Sequence, residues 1–156
     1  MYNHGVAFKI VADCMLGNGE TAYNTLKLIS YDNPNNQNNG MEPYAVSNMY
    51  MGPENPYIAG YAPMSWITGT AGWLYRAVTE YLCGVKPTVN GLKLQPCLPS
   101  KWSNVSVVRK FRGTSYNITF VTSNQNKIEV DGKPIQTDVL PIVSDTECNV
   151  VCYYKK

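Results

Sequence analysis

The sequence predicts an α+β protein, helical up to about residue 85 and built from short antiparallel strands after it. Three observations carry this: helical periodicity in three segments of the first half, alternation of apolar and polar residues in the second, and a stop at Gly84 and Pro87 between them.

From Ala7 to Leu16 the residues are apolar nearly all round, broken by Lys9 and Asp13 at i,i+4 spacing. That pattern predicts a helix buried on most of its faces and ended by Gly17. Glu20 to Ile29 sets Ala22, Leu26 and Ile29 on one stripe, so Gly17-Asn18-Gly19 becomes the tight turn of an α-hairpin. The polar run from Tyr31 to Gly40 is a loop, rich in residues that offer the backbone local alternatives to helix. Gly52 to Pro63 carries Pro53, Pro56, Gly60 and Pro63, which predicts an irregular segment surrounding a site. Ala71 to Leu82 is the third helix, with Leu74, Ala77, Val78, Tyr81 and Leu82 on one broad face. After Pro87, Tyr116, Ile118 and Phe120 interleave with Asn117 and Thr119, and Asp131-Gly132 joins Lys127–Val130 to Lys133–Ile135 as a hairpin turn. Further strands are expected at Gly91–Leu94, Val105–Val108 and Asn149–Tyr153, together an antiparallel β-sandwich. Three helices, the first almost wholly apolar, cannot cover one another, so either the chain oligomerises or a larger helical body precedes it.

Composition removes several classes of function. Of 156 residues, 44% are hydrophobic and 15% charged, a globular balance, and a net charge of +2 without a basic run argues against nucleic acid. No apolar stretch approaches the roughly 20 residues of a membrane span, and Met1-Tyr2-Asn3-His4-Gly5 does not read as a secretion signal, so a cytoplasmic location is expected. Cys14, Cys83, Cys97, Cys148 and Cys152 are odd in number and contain no Cys-x-x-Cys pair, which argues against a disulfide framework and a zinc site. No nucleophile elbow, Walker loop, dinucleotide fingerprint or His-Glu-x-x-His is present.

Three features could carry chemistry, and each has a structural alternative. His4, the sole histidine, stands just before the first helix, where an anion is favoured, although capping or packing would use it equally. Ser65-Trp66-Ile67-Thr68-Gly69-Thr70-Ala71-Gly72 places hydroxyls and glycines ahead of the third helix, as a phosphate cradle or as an ordinary cap and turn. Glu42, Tyr44 and Asn48, followed by Tyr50, Tyr57 and Tyr61, mix carboxylate, amide and aromatic groups as sugar sites do, or line an interface.

Taken together, these segments resemble the cellobiose, cellodextrin, laminaribiose and chitobiose phosphorylases of glycoside hydrolase family 94. The matching strings run in family order through nearly the whole chain: Tyr2-Asn3-His4-Gly5-Val6, Ile10-Val11-Ala12-Asp13-Cys14, Glu42-Pro43-Tyr44, Gly52-Pro53-Glu54-Asn55-Pro56, Ser65 to Ala71, Gly84-Val85-Lys86-Pro87, Gly91-Leu92, Pro96-Cys97-Leu98-Pro99 and Arg109 to Thr114. The resemblance implies that residues 1–85 are the closing helices of an (α/α)6 barrel and residues 86–156 a C-terminal β-sandwich. It further implies a phosphate site at His4, Thr68 and Gly69, and sugar contacts from Asn48, with Glu42 and Tyr44 in the same loop. Asn48 stands where the cellobiose enzymes often carry glutamine, which leaves the acceptor open. The implied activity is inverting phosphorolysis of β-linked disaccharides or oligosaccharides, with inorganic phosphate as co-substrate and no cofactor. The general acid of the family is an aspartate upstream of the histidine, and neither Asp13 nor Asp32 matches it, so the chain is expected to be a C-terminal portion that is inactive alone. A homodimer, or association with the rest of the barrel, is the expected partnership. A non-catalytic carbohydrate-binding remnant and a piece of a larger cyclic β-glucan synthase are the competing readings.

Overall fold

The computed structural model describes residues 1–36, 39–42, 44–144 and 146–155; Gln37 and Asn38 of the predicted loop, and Pro43 of the Glu42-Pro43-Tyr44 string, lie outside the described residues. The chain is α+β and forms two compact units, Met1–Val78 and Thr79–Lys156.

The first unit holds α1 (Asn3–Met15), α2 (Gly19–Ile29) and α3 (Thr70–Arg76). α1 starts four residues before the predicted Ala7, so His4 lies within its first turn rather than ahead of it. The reason is tertiary: the Asn3 N–H donates to the Asn48 carbonyl at 2.9 Å and the Asn3 side chain to the Ser47 carbonyl at 3.2 Å, satisfying a helix start that has no side-chain cap of its own. At the other end Gly17 adopts φ 79°, its N–H reaching the Cys14 carbonyl while Asn18 reaches Asp13, the paired bonds of a Schellman stop. Ala7, Ile10 and Cys14 of α1 and Ala22 and Ile29 of α2 are buried, and Lys9 bonds both Asp13 and Thr25, joining the two helices at the rim. Phe8, Met15 and Leu16 at α1 and Leu28 of α2 remain exposed, so the apolar surface of both helices is only partly covered. α3 packs on α1 through Trp73, whose ring meets Phe8 edge-on at 4.7 Å. The predicted third helix is present, but from Ala77 to Leu82 it winds as a π-helix.

Most of the residues between α2 and α3 are irregular, with one 3-10 turn at Pro34–Asn36, and backbone bonds stitch them to the start of α1. Tyr2 bridges Met49, Tyr50 N–H reaches the Met1 carbonyl, and Asn48 N–H reaches the Met64 carbonyl. This brings residues 1–4, 47–50 and 61–64 side by side, although they are far apart in sequence.

The second unit has two sheets. β1 (Val85–Thr88), β2 (Gly91–Leu94) and β7 (Val139–Leu140) form an antiparallel three-stranded sheet. β3 (Asn104–Phe111), β4 (Thr114–Thr122), β5 (Lys127–Val130), β6 (Lys133–Ile135) and β8 (Glu147–Tyr154) form the second sheet, in the order β3-β4-β8-β5-β6. One pairing corrects the expectation of an all-antiparallel arrangement: β4 and β8 run parallel. Their register sets Tyr116 opposite Cys148, Ile118 opposite Val150 and Phe120 opposite Cys152, so the buried faces of both strands coincide and build the core. Asp131 (φ 47°) and Gly132 (φ 77°) make the predicted hairpin turn, and Arg112 (φ 50°) with Gly113 (φ 94°) makes a second one between β3 and β4.

Candidate functional site

The site residues named from sequence all lie in the first unit. The stitched backbone explains their convergence: His4 follows Asn3, Asn48 accepts from Asn3, and the segment leading to Thr68 leaves from Met64 beside Asn48.

His4 is wedged between Phe8, with ring centroids 5.0 Å apart, and Gly69. A Cβ at Gly69 would lie 2.7 Å from the imidazole Cε1, so the ring occupies the space that any side chain there would need. The Tyr2 hydroxyl lies 3.1 Å from Nδ1. With that hydroxyl donating, the neutral ring carries its proton on Nε2. Nε2 is buried and has no hydrogen-bond partner among the described residues. A buried donor of this kind is costly unless something accepts from it.

Thr68 has a fully engaged hydroxyl. It donates to Asn48 Oδ1 at 3.1 Å, receives the Thr70 N–H at 3.0 Å and lies 2.6 Å from the buried Thr70 Oγ1. His4, Gly69, Thr68 and Asn48 thus form one connected group.

Glu42 ties two segments of the unit together. Its carboxylate accepts hydrogen bonds from Ser65 Oγ at 2.5 Å and from Trp66 Nε1 at 2.8 Å, fastening the 42-loop to the segment ahead of Thr68. The Ser65 bond first, then a bond to its own backbone and the Trp66 bond, hold the carboxyl below its ordinary value. Tyr44 is 76% exposed, has φ 64° and stacks edge-on against Tyr31 at 5.0 Å. Glu42 and Tyr44 line a shallow depression of about 350 Å³ with Tyr31, Asp32, Asn36, Asn39 and Met41. Tyr57 and Tyr61 are exposed, whereas Tyr50 is buried and belongs to the core rather than to an aromatic platform. Two contributors escaped the sequence reading: Tyr2, whose hydroxyl lies against the imidazole Nδ1, and Thr70, which engages the Thr68 hydroxyl. Both depend on contacts visible only once the chain is folded.

Among the described residues no group of three or more His, Cys, Asp or Glu is placed to hold a metal ion, and no helix is long and apolar enough to cross a membrane. With Tyr2 donating to Nδ1, the arrangement offers a buried imidazole N–H beside a glycine with no side chain, and a threonine hydroxyl that can turn to an oxyanion by leaving a partner it already has.

The comparisons agree with a carbohydrate-active class. Residues 1–84, more than half of the chain, match the family described as the glycosyl hydrolase 94 superfamily, catalytic domain, and the chain belongs to that superfamily. It is 43% identical over 151 residues to the solabiose phosphorylase of Paenibacillus borealis, a match covering 92% of this chain and 20% of that protein. It is also 34% identical to the 3-O-beta-D-glucopyranosyl-beta-D-glucuronide phosphorylase of the same organism, covering 96% of this chain and 20% of that protein. The N,N'-diacetylchitobiose phosphorylase of Vibrio proteolyticus is likewise 34% identical, over 97% of this chain and 20% of its own length. The chain spans about a fifth of the length of these curated relatives.

Proposed function

We propose that this chain is the C-terminal portion of an inverting β-glycoside phosphorylase and supplies its phosphate site. The observation that carries the reading is the buried, unpartnered Nε2 of His4 packed against Gly69, next to Thr68. Phosphate oxygens accept from the imidazole N–H and the Thr68 hydroxyl, and the absent side chain at Gly69 leaves room for the imidazole that presents the N–H. One phosphate oxygen attacks the anomeric carbon of a β-linked sugar as the glycosidic C–O bond breaks. The leaving oxygen takes a proton from a carboxylic acid outside these residues, giving an α-sugar 1-phosphate with inversion. Because phosphate is itself the nucleophile, no second carboxylate is needed to activate water.

In this reading residues 1–85 complete an (α/α)6 barrel and residues 86–156 form its C-terminal β-sandwich. The exposed Phe8, Met15, Leu16 and Leu28 are the faces other barrel helices cover, which makes the rest of the barrel, or a second copy, the partner. Asn48 and Tyr44 face the acceptor sugar, and Glu42 orders the loop that carries them. No cofactor is required beyond phosphate as co-substrate. Five cysteines without a disulfide fit a cytoplasmic setting. The test is kinetic, in a complete phosphorylase carrying this segment. His4→Ala and Thr68→Ala are each expected to raise KM for phosphate by about 10- to 100-fold, the worth of a hydrogen bond to a charged group. Unchanged phosphate dependence in both variants would remove the assignment.

A further inference from the structure

The valences at Thr68 are full. Its oxygen has one proton and two lone pairs: the proton goes to Asn48 Oδ1, one lone pair receives the Thr70 N–H, and the other receives the Thr70 hydroxyl in the direction that keeps the Asn48 bond. The alternative direction between the two threonines would take the only Thr68 proton away from Asn48, so the two neighbours together occupy the whole hydroxyl. Thr68 therefore cannot donate to any ligand without releasing a bond it already makes. Asn48 is the neighbour able to let go: it is half-buried and its backbone is anchored independently, its N–H to Met64 and its carbonyl to Asn3, whereas Thr70 is fully buried.

We infer that Asn48 is a placeholder for phosphate at the Thr68 hydroxyl, and that phosphate binding transfers the Thr68 proton from the Asn48 amide to the anion, freeing Asn48 Oδ1 to accept from a sugar hydroxyl. The inference rests on the phosphate reading of His4, Thr68 and Gly69. It makes Asn48 a positioning residue that couples two subsites through one proton. The coupling has a required sign. A sugar hydroxyl that donates to the Asn48 Oδ1 lone pair now held by Thr68 displaces Thr68 and favours phosphate, and phosphate favours the sugar by the same factor.

The two claims separate in a double-mutant cycle in a complete phosphorylase carrying this segment, with inorganic phosphate as the titrant and calorimetry or phosphorus NMR as the readout. Asn48→Ala removes the competitor and is expected to tighten phosphate about fivefold, the factor carried by one net hydrogen bond. Thr68→Val is expected to weaken phosphate, and adding Asn48→Ala to Thr68→Val is expected to change nothing further. If Asn48→Ala leaves phosphate affinity at the wild-type value, or lowers it, while His4→Ala and Thr68→Val weaken it, the placeholder role is wrong and the phosphate site stands. Equal tightening by Asn48→Ala in the presence and absence of the Thr68 hydroxyl also rejects the relay. If neither the wild type nor any variant binds phosphate, both the relay and the site it rests on fall.

Discussion

Gly69 is the residue at which local chemistry and packing meet most tightly. A methyl group there meets the imidazole at 2.7 Å, and because the ring is braced by Phe8 and Tyr2, it can yield only by leaving its position. Gly69→Ala is therefore expected to weaken phosphate binding at least as much as His4→Ala, with a stability loss confined to displacing the ring, since Gly69 is exposed and its φ of -81° suits alanine. A large stability loss with intact phosphate binding would show that the contact is structural. Glu42 gives a second expectation at this scale. Its depressed carboxyl contributes fastening that is complete above the ordinary carboxylate range and is lost as pH falls through the lowered value. A fluorotryptophan signal from Trp66 should therefore move at a lower pH than an ordinary glutamate titrates, and Glu42→Gln should abolish that transition. Burial alone pushes the Cys83 and Cys152 thiols up to about 11, so both should resist iodoacetamide at pH 8 in the native protein and react once it is unfolded.

At the scale of elements, the β region shows what alternation can and cannot reveal. Tyr116, Ile118 and Phe120 were legible as one inward face because the pleat repeats every two residues, and the Asp131-Gly132 turn because few pairs accept two positive φ values. The partner of β4 was not legible, since Cys148, Val150 and Cys152 pack equally well from a parallel or an antiparallel neighbour. β1 was hidden by Pro87 and β7 by its length of two residues. The sheet account predicts that Phe120→Ala, which empties the fully buried centre of β4, costs about 3–5 kcal/mol in denaturant unfolding. Gly84 marks a tighter constraint. With φ 68° and a would-be Cβ 2.0 Å from the Gln95 carbonyl oxygen, Gly84→Ala should destabilise by roughly 1–3 kcal/mol or more, against the few tenths expected if that backbone can shift freely.

For the whole molecule, the sequence made a demand for further neighbours, a second copy or more helices, visible before any geometry did, because an almost wholly apolar α1 calls for more than two helices provide. The exposed Phe8, Met15, Leu16 and Leu28 agree with that demand. The location of the site was less accessible. His4, Asn48 and Thr68 carry no local signal that they meet, and only the order of matching strings along the chain suggested it. The long-range bonds from Asn3 to Ser47 and Asn48, which bring them together, are a product of folding. The bonds from Ser65 and Trp66 to Glu42 were not legible either, since these partners lie more than twenty residues away.

The account turns on whether an anion completes the bond that His4 Nε2 lacks. A crystal structure of the protein grown with inorganic phosphate measures this directly. Phosphate oxygens within about 3 Å of both His4 Nε2 and Thr68 Oγ1, with Asn48 Oδ1 released, are the expected result. Phosphate bound elsewhere, with the imidazole still unpaired against Gly69, would contradict it.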